Sequence, residues 1–331
     1  MALPAKLRGK LRIPVVGAPL FIVSNPDLVI EQCKAGIIGS FPALNARPAP
    51  VLEDWLKRIT SELAEYQDKH PDKIVAPFAV NQIVHNSNDR LQHDVELCAK
   101  YKVPVQITSL RAPDDVVASA HAYGGLVFHD VINIKHAKRA LQAGVDGLIL
   151  VCAGAGGHAG RLSPFALVPE VRQFYDGCIL LSGSIANGAS VLAAQAVGAD
   201  LAYIGTRFTA SQEANATDAN KQCIIDSNGE EIVYTNLFTG VHGNYLSRSV
   251  TTAGLDPENL PEADKSKMNF GSGGNTKAKA WRDIWGAGQG VGQIHDAPPA
   301  GEIVDRLTRE YEQARAALFA DQPVPTRLAA E

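Results

Sequence analysis

Short apolar runs alternate along the chain with segments in which apolar residues recur every three or four positions. This alternation is typical of βαβ units and a parallel sheet. Near-continuous apolar runs suit strands that are buried on both faces. Eight strands with helices between them favour a closed (β/α)₈ TIM barrel, in the α/β class, over an open doubly wound sheet. The predicted strands lie near residues 12–18, 36–40, 74–80, 103–107, 125–128, 147–152, 178–182 and 200–205.

The helical segments carry boundary signals of their own. Segment 187–197 opens at Asn187, a favoured N-cap residue, and stops at Gly198, as many helices do. A last helix is predicted over residues 299–318. Segment 50–69 has one apolar stripe, which is typical of a helix packed on a sheet and is formed by Leu52, Trp55, Ile59, Leu63 and Tyr66.

Residues 212–284 break this rhythm. They are polar, rich in Asn, Ser, Thr and Gly, and show helical patches but no clear strand. Because an eight-stranded barrel already ends near residue 206, we expect a smaller inserted, mainly helical domain here, near the C-terminus and covering the barrel mouth. The barrel itself would then comprise residues 1–211 and 285–331.

Composition narrows the class of protein. A formal net charge of −4 and a pI near 6.1 argue against a nucleic-acid partner, which requires a basic face. No uncharged apolar run reaches the roughly 18 residues that span a bilayer, and no apolar stretch follows the basic N-terminus as in a signal peptide. The five cysteines are scattered, with no Cys-x-x-Cys pair, so we expect a cytoplasmic protein without disulfides, metal or catalytic thiol.

Glycines follow the last two predicted strands. Ser182-Gly183-Ser184 comes after the seventh strand, and Gly205-Thr206 comes after the eighth. These are the positions at which barrels bind phosphate, and glycine lets backbone N–H groups approach an anion closely. Each turn alone could equally serve only the bend from strand to helix. Two of them at adjacent strand ends favour a phosphate site, to which Thr206 would add a hydroxyl donor.

The run Gly154-Ala155-Gly156-Gly157-His158-Ala159-Gly160 follows the sixth strand. It matches the dinucleotide fingerprint formally, but Arg161-Leu162-Ser163-Pro164 prevents the helix that the fingerprint requires. A second glycine-rich run, 286–292, follows no strand and fails the same test. Neither run therefore supports a Rossmann nicotinamide site. His158, on a glycine-rich loop at a strand end, points into the barrel mouth as a candidate general base or hydrogen-bond donor.

Other strand ends offer weaker candidates. The small and apolar residues Ala18, Pro19 and Leu20 could form a wall for a flat ring, and Asn81 could hydrogen-bond ring heteroatoms. His129 and Asp130 close the fifth strand. The other histidines lack such a setting and are more typical of solvated positions, as His85 and His93 are.

Six segments together resemble the nitronate monooxygenase family, formerly called 2-nitropropane dioxygenases. The resemblance spans about residues 12 to 310 in the family's order, and the pair A-G-G-H and G-T-R-F is specific. The segments are P-V-V-G-A-P-L at 14–20, A-V-N at 79–81, A-G-G-H at 155–158, S-G-S-I-A-N-G at 182–188, G-T-R-F at 205–208 and G-Q-G-V-G-Q-I at 288–294.

The resemblance implies a TIM barrel with a smaller inserted domain and a non-covalently held FMN. It makes His158 the active-site histidine beside the flavin, and it implies oxidation of an alkyl nitronate by O₂, through one-electron transfer to FMN, to a carbonyl compound and nitrite. The cofactor-binding residues that it implies are Ala18, Pro19, Leu20, Asn81, Asp130, Gly156, Gly157, Gly183, Ser184, Tyr203, Gly205 and Thr206.

The chain also departs from the family pattern. It has Gly183-Ser184 where the family has Gly-Gly, and Val151 and Gly154 where many members have Gln and Glu. Asp130 stands where some relatives have a lysine near the flavin. The loss of that positive charge could alter the flavin potential or the choice of substrate.

The sequence is therefore compatible with four functions. The leading one is an FMN-dependent nitronate monooxygenase acting on a small nitronate and O₂, with a homodimer as a candidate assembly. The alternative is an NAD(P)H-dependent flavin reductase of quinones or enoyl thioesters on the same fold, since a nicotinamide can stack on a flavin without a Rossmann motif. A flavin-storing module is disfavoured by His158, and a phosphosugar-binding barrel would lack the flavin.

Overall fold

The computed structural model describes residues 2–263 and 283–320. Eleven strands occur in these ranges, and nine of them belong to the first 211 residues. They are β1 (Val15–Gly17), β2 (Ser40–Pro42), β3 (Ala79–Val84), β4 (Val105–Leu110), β5 (Leu126–Val131), β6 (Gly147–Val151), β7 (Gly157–His158), β8 (Cys178–Ser182), β9 (Leu201–Ile204), β10 (Ile232–Thr235) and β11 (Gly243–Leu246).

Eight parallel strands form the predicted barrel. Their order is β1-β9-β8-β6-β5-β4-β3-β2. A parallel bridge between Val16 and Ile38 joins the two ends of this sheet, and the Gly17 N–H donates to the Ile38 carbonyl at 2.8 Å. The (β/α)₈ barrel is therefore confirmed.

Helices follow the strands and pack on the outside of the barrel. Asn187 caps its helix as predicted, since its side chain accepts from the Ser190 N–H and Ser190 returns a bond to the Asn187 backbone. The helices are α1 (Pro26–Lys34), α2 (Val51–Lys69), α3 (Leu91–Lys100), α4 (Asp114–Ala122), α5 (Ile134–Gln142), α6 (Pro164–Arg172), α7 (Gly188–Ala196), α8 (Thr206–Thr209), α9 (Asp218–Ile225), α10 (Ser247–Thr252) and α11 (Ala300–Ala320).

The alternation of side chains along each strand divides the core into two layers. Phe128 and Ile149 point inward and pack with the other interior residues of the barrel. Val127 and Leu148, one position earlier, point outward and pack against the helices. Both faces are apolar, and this explains why the strands could be recognised as continuous apolar runs.

The N-terminal segment closes one end of the barrel. Leu7 is 2% exposed and belongs to the interior cluster, against which Leu3 and Leu11 also pack. Lys6 donates to the carbonyl of Gly124, just before β5 begins. This end carries the N-termini of the strands, so the carboxyl ends form the mouth that remains available for ligands.

Two barrel strands begin four or five residues later than predicted. β2 covers Ser40–Pro42 instead of 36–40, and β3 covers Ala79–Val84 instead of 74–80. Strand β3 continues into Asn81 and Gln82, because both side chains are buried with hydrogen-bond partners. Polar residues at these positions hid the strand ends in the apolar pattern.

The expectation of no clear strand within 212–284 is wrong. Strands β10 and β11 pair antiparallel, and β11 also pairs with β7, so that Gly243 lies opposite His158. These strands are four residues long and β7 only two, which is too short for an alternating pattern to be visible. Helices alone therefore do not describe this segment. Residues 264–282 and 321–331 of the two predicted domains lie outside the described residues, and the division into domains stays a prediction.

A buried carboxylate ties β8 to β9. Asp200 is 2% exposed and its Oδ2 accepts from the Ile179 N–H at 2.9 Å and from the Arg172 guanidinium at 2.6 Å. Its Oδ1 accepts from the Ala2 N–H at 2.5 Å. Removing one partner of a buried ion pair leaves an uncompensated charge, which is strongly destabilising.

We expect Asp200→Asn to lower the free energy of unfolding by about 2–3 kcal/mol, because the charge paired with Arg172 is lost. Chemical denaturation of the purified protein measures this change. The matched control is Asp305→Asn, which breaks an exposed ion pair with Arg12 and should change stability by less than about 1 kcal/mol. Equal effects of the two substitutions would contradict the structural role of Asp200.

Candidate active site

A cavity of about 550 Å³ lies at the carboxyl ends of the barrel strands. Residues that follow β1, β8 and β9 line it together with residues of the segment beyond 211. All thirteen candidate residues from the sequence meet here, namely Ala18, Pro19, Leu20, Asn81, Asp130, Gly156, Gly157, His158, Gly183, Ser184, Tyr203, Gly205 and Thr206. The structure thus brings them together, as strand ends in one barrel must.

Three polar side chains on neighbouring strands form a hydrogen-bonded chain at the cavity. The Asn81 amide donates to the Ser109 hydroxyl at 2.9 Å, and that hydroxyl donates to Asp130 Oδ2 at 2.6 Å. Asp130 Oδ1 is buried and has no hydrogen-bond partner among the described residues. Burial raises the pKa of Asp130 to about 6, although the bond from Ser109 opposes that rise.

Tyr203 of β9 faces the same cavity and is 7% exposed. Burial first, and then the nearby charge of Asp130, raise the pKa of its phenol well above the ordinary value. The phenol therefore stays protonated at neutral pH.

The turn after β8 has an unusual backbone. Gly183 has φ +140°, and a Cβ there would lie 2.7 Å from the Ala153 carbonyl oxygen. Ser184 has φ +56°, in the left-handed region, and its N–H donates to the Gly154 carbonyl at 3.2 Å. The Ser184 N–H is thus hydrogen-bonded within the protein, whereas the Ser184 hydroxyl occupies the space that a side chain on Gly154 would need.

The turn after β9 combines Gly205 with the first residue of α8. A Cβ on Gly205 would lie 3.2 Å from Leu20 Cδ2 and 3.7 Å from Ala18 Cβ. The Thr206 hydroxyl oxygen accepts from the Gly288 N–H at 2.9 Å, and its own hydrogen can donate to a ligand.

The second glycine-rich run serves close packing, a role that the fingerprint test could not detect. A Cβ on Gly156 would lie 2.8 Å from the Gly288 nitrogen, and a Cβ on Gly288 would lie 2.5 Å from the Gly154 carbonyl oxygen. The Gln289 N–H also donates to that oxygen at 2.9 Å. Glycines at every second position of 286–292 were the signal for such a close backbone approach.

His158 is held in β7 at the edge of the small sheet. Its Nε2 lies 2.9 Å from Thr239 Oγ1, and the Thr239 hydroxyl donates to the Val241 carbonyl at 2.9 Å. The hydrogen bond between Nε2 and the Thr239 hydroxyl fixes the position of the imidazole ring. Burial lowers the pKa of His158 to about 4, so the ring is neutral at pH 7.

The remaining histidines of the sequence analysis lie elsewhere. His129 points outward from β5, where its Nδ1 lies 2.8 Å from the Thr108 hydroxyl. His85 and His93 bond Ser87 and Asp94 respectively. His158 is thus the candidate whose ring reaches the cavity.

Sequence reasoning missed two chargeable residues of the cavity wall, Arg47 and His136. Arg47 follows β2, and its Nε donates to the Leu44 carbonyl at 2.8 Å while the guanidinium lies 5.5 Å from the Phe21 ring centre. Its place in a loop after a barrel strand was the available signal. His136 belongs to α5, and a helical position gives no such signal.

Two other features are absent from the described ranges. Within 2–263 and 283–320, no three His, Cys, Asp or Glu side chains come together as metal ligands do. None of the helices described is both long enough and apolar enough to cross a membrane.

Comparison with known proteins identifies the family. The family model for nitronate monooxygenase matches residues 8–310. The chain belongs to the nitronate monooxygenase family. A nitronate monooxygenase from Neurospora crassa is 27% identical, over 90% of this chain and 89% of its own length. Membership makes the chain an oxidoreductase with a role in nitronate oxidation, in a family of flavoproteins.

Solved structures of related proteins have the same architecture. A nitroalkane oxidase from Streptomyces ansochromogenes superposes with a TM-score of 0.77 at 23% identity, covering 95% of this chain and 100% of that one. FabK from Thermotoga maritima gives 0.71 at 22% identity, covering 96% and 98%. At these identities the two structures show the fold alone, and they agree with the TIM barrel of this family member.

The setting of His158 leads to a prediction about its titration. We expect the ring to remain neutral until the pH falls to about 4, well below its ordinary range. Because the unfolded chain binds this proton near pH 6.5, the folded state should lose stability as the pH falls from about 6.5 towards 4. NMR of the histidine ring carbons, assigned with His158→Gln, measures the midpoint. A midpoint above pH 6 would contradict the lowered pKa of this ring.

Proposed function

We propose that this chain is an FMN-dependent nitronate monooxygenase, which oxidises alkyl nitronates with O₂ to a carbonyl compound and nitrite. One observation carries the proposal. A single cavity combines glycine turns at the last two barrel strands, polar groups suited to a flavin ring and a neutral, half-buried histidine. FMN, when bound, would accept the electrons that the nitronate loses.

The residues around the cavity fit a flavin ring. Ala18, Pro19 and Leu20 offer a small and apolar wall, and Asn81 and Tyr203 offer polar atoms. The unsatisfied Asp130 Oδ1 requires a donor, and an isoalloxazine ring has an N–H that can supply one. An orphaned acceptor at this place supports a ligand with a ring N–H.

The turns after β8 and β9 would hold the FMN phosphate. Gly205 leaves only a narrow space beside Leu20 and Ala18, which a side chain would fill. The Thr206 hydroxyl can donate to a phosphate oxygen, and backbone amides near Gly183 and Gly205 would add further donors. Since the Ser184 N–H already bonds Gly154, Ser184 would contribute through its hydroxyl.

His158 would act on the nitro group from the side of the small sheet. The bond to Thr239 fixes the ring, and the low pKa keeps the ring uncharged, so that it can accept a proton as a base or donate a hydrogen bond. Gly157 would leave room for ligand beside it, since a Cβ there would meet no atom within 4 Å, whereas Gly156 lines the cavity and packs against Gly288. A cytoplasmic location and a homodimer stay predictions.

Oxygen uptake by the FMN-loaded protein tests the function. With an alkyl nitronate alone, we expect uptake of O₂ and release of nitrite. His158→Asn should keep FMN bound and reduce turnover by about 10²–10⁴-fold, the usual contribution of a general acid or base. The control His93→Asn changes a histidine on α3 and should leave turnover unchanged.

The same assay distinguishes the proposed monooxygenase from the alternative, an NAD(P)H-dependent flavin reductase. No uptake with nitronate, together with uptake or quinone reduction on addition of NADH or NADPH, would replace the monooxygenase with a flavin reductase. An unaffected rate in His158→Asn would remove the proposed role of this residue while leaving the reaction in place.

The phosphate site gives a separate prediction. Gly205→Val should weaken FMN binding at least tenfold, because its side chain would occupy the space beside Leu20 and Ala18. Gly205 has φ −106°, which other residues can adopt, so the folded state should tolerate the change. Fluorescence titration with FMN measures the affinity. Gly301→Val, at the start of α11 where a Cβ meets nothing within 4 Å, is the control. Unchanged affinity in Gly205→Val would contradict the assignment.

A further inference from the structure

The hydrogen-bonded chain from Asn81 to Asp130 has a fixed direction. Asn81 donates to Ser109, and Ser109, having given its one hydroxyl hydrogen to Asp130, cannot reverse the bond. Both hydrogen bonds therefore run in the direction of the Asp130 carboxyl group. The chain ends at Asp130 Oδ1, which is buried and lacks a partner among the described residues. Such an acceptor is incomplete until a ligand donor meets it.

Few other chargeable groups face this carboxyl. Ser109 on β4 is its hydrogen-bond donor. Tyr203 on β9 is near enough that the charge of Asp130 raises the pKa of its phenol. Three more chargeable residues of the described chain line the cavity, namely Arg47 after β2, His136 on α5 and His158 on β7. The pKa of Asp130 is raised to about 6 by burial and opposed by Ser109. Asp130 is thus an acid that titrates close to neutral pH.

We propose that Asp130 is a positioning residue that accepts a hydrogen bond from the bound flavin and couples the flavin's reduction potential to pH. This inference rests on the proposed function, since it requires a flavin in the cavity. It goes beyond the proposed function because the oxidation of a nitronate does not itself require a carboxyl that controls the flavin potential. The Asn81–Ser109 pair keeps the carboxyl directed at the ring.

The physical cause is repulsion between two negative charges. Reduction of the flavin adds two electrons, and the ring carries a negative charge if it takes up one proton and none if it takes up two. An ionised Asp130 beside it disfavours the charged reduced form, whereas a protonated one does not. At the effective dielectric of a protein, two charges within about 6 Å shift an equilibrium by tenfold or more.

The sign of the pH dependence follows. At pH values below the pKa of Asp130, the carboxyl is protonated with oxidised flavin and causes no repulsion. Above that pH it is ionised, so reduction becomes harder, and the potential falls more steeply with pH than in a protein with a neutral side chain here. Removing the Ser109 hydroxyl raises the pKa of Asp130 further, because that bond stabilises the ionised form.

Potentials of the FMN-loaded protein, measured against reference dyes from about pH 5 to pH 8, test the proposal. Asp130→Asn should match the unmodified protein at the acid end. Near pH 8 it should hold at least a tenfold larger ratio of reduced to oxidised flavin at the same solution potential, which is about 30 mV for a two-electron couple. In Ser109→Ala the potential should still fall more steeply with pH than in Asp130→Asn, but the steeper fall should begin at a higher pH than in the unmodified protein.

One further variant tests which residue causes the titration. A plot of the potential against pH becomes steeper at one pH, which we call the break. His136→Gln should leave the pH of the break unchanged. A shifted or lost break in that variant would assign the effect to His136 and overturn the proposal. Equal potentials in Asp130→Asn and the unmodified protein across the range would also overturn it. If Asp130→Asn does not fold, the displaced break in Ser109→Ala decides alone. Failure of the chain to bind FMN in a fluorescence titration would overturn both proposals, whereas bound FMN with no Asp130 effect overturns only this one.

Discussion

The close approach of two glycine-rich loops determines the shape of the site. A side chain on Gly156 or Gly288 would collide with the backbone of the opposite loop, and two N–H groups donate across the contact, one to Gly154 and one to Thr206. This contact brings the chain after residue 285 back to the barrel mouth. It also holds the loop that carries His158, which pairs with Gly243 in the small sheet. The barrel supplies the floor of the cavity, and the later segment supplies Thr239 and Gly243, the partners of His158.

Burial moves the pKa values of two titratable groups of the cavity in opposite directions, and in both it disfavours the charged form. It lowers the pKa of His158 to about 4 and raises that of Asp130 to about 6. A neutral base and a weakly acidic carboxyl therefore face one space at physiological pH. Groups whose pKa values are moved in this way are typical of functional sites, because both shifts cost stability. The chain belongs to the nitronate monooxygenase family, and under the proposed function these two groups would face the substrate and the flavin.

Much of this arrangement could be predicted from the sequence, for a definite reason. Parallel strands in a barrel end at one rim, so residues such as Gly183 and Gly205 could be placed together without knowing any contact. The bond from Ser109 to Asp130 could not, because it depends on the register of β4 against β5. Strands β10 and β11 were missed because each has only four residues, and because the second partner of β11, strand β7, is distant in sequence.

The central claim is that a flavin in this cavity takes electrons directly from a nitronate. Anaerobic mixing of the FMN-loaded protein with an alkyl nitronate, followed at the visible absorption band of the flavin, tests it most directly. Our account predicts that nitronate alone bleaches the band, and that readmitted O₂ restores it. A band that nitronate leaves unchanged, but NADH or NADPH bleaches, would contradict the account and make the chain a nicotinamide-dependent reductase.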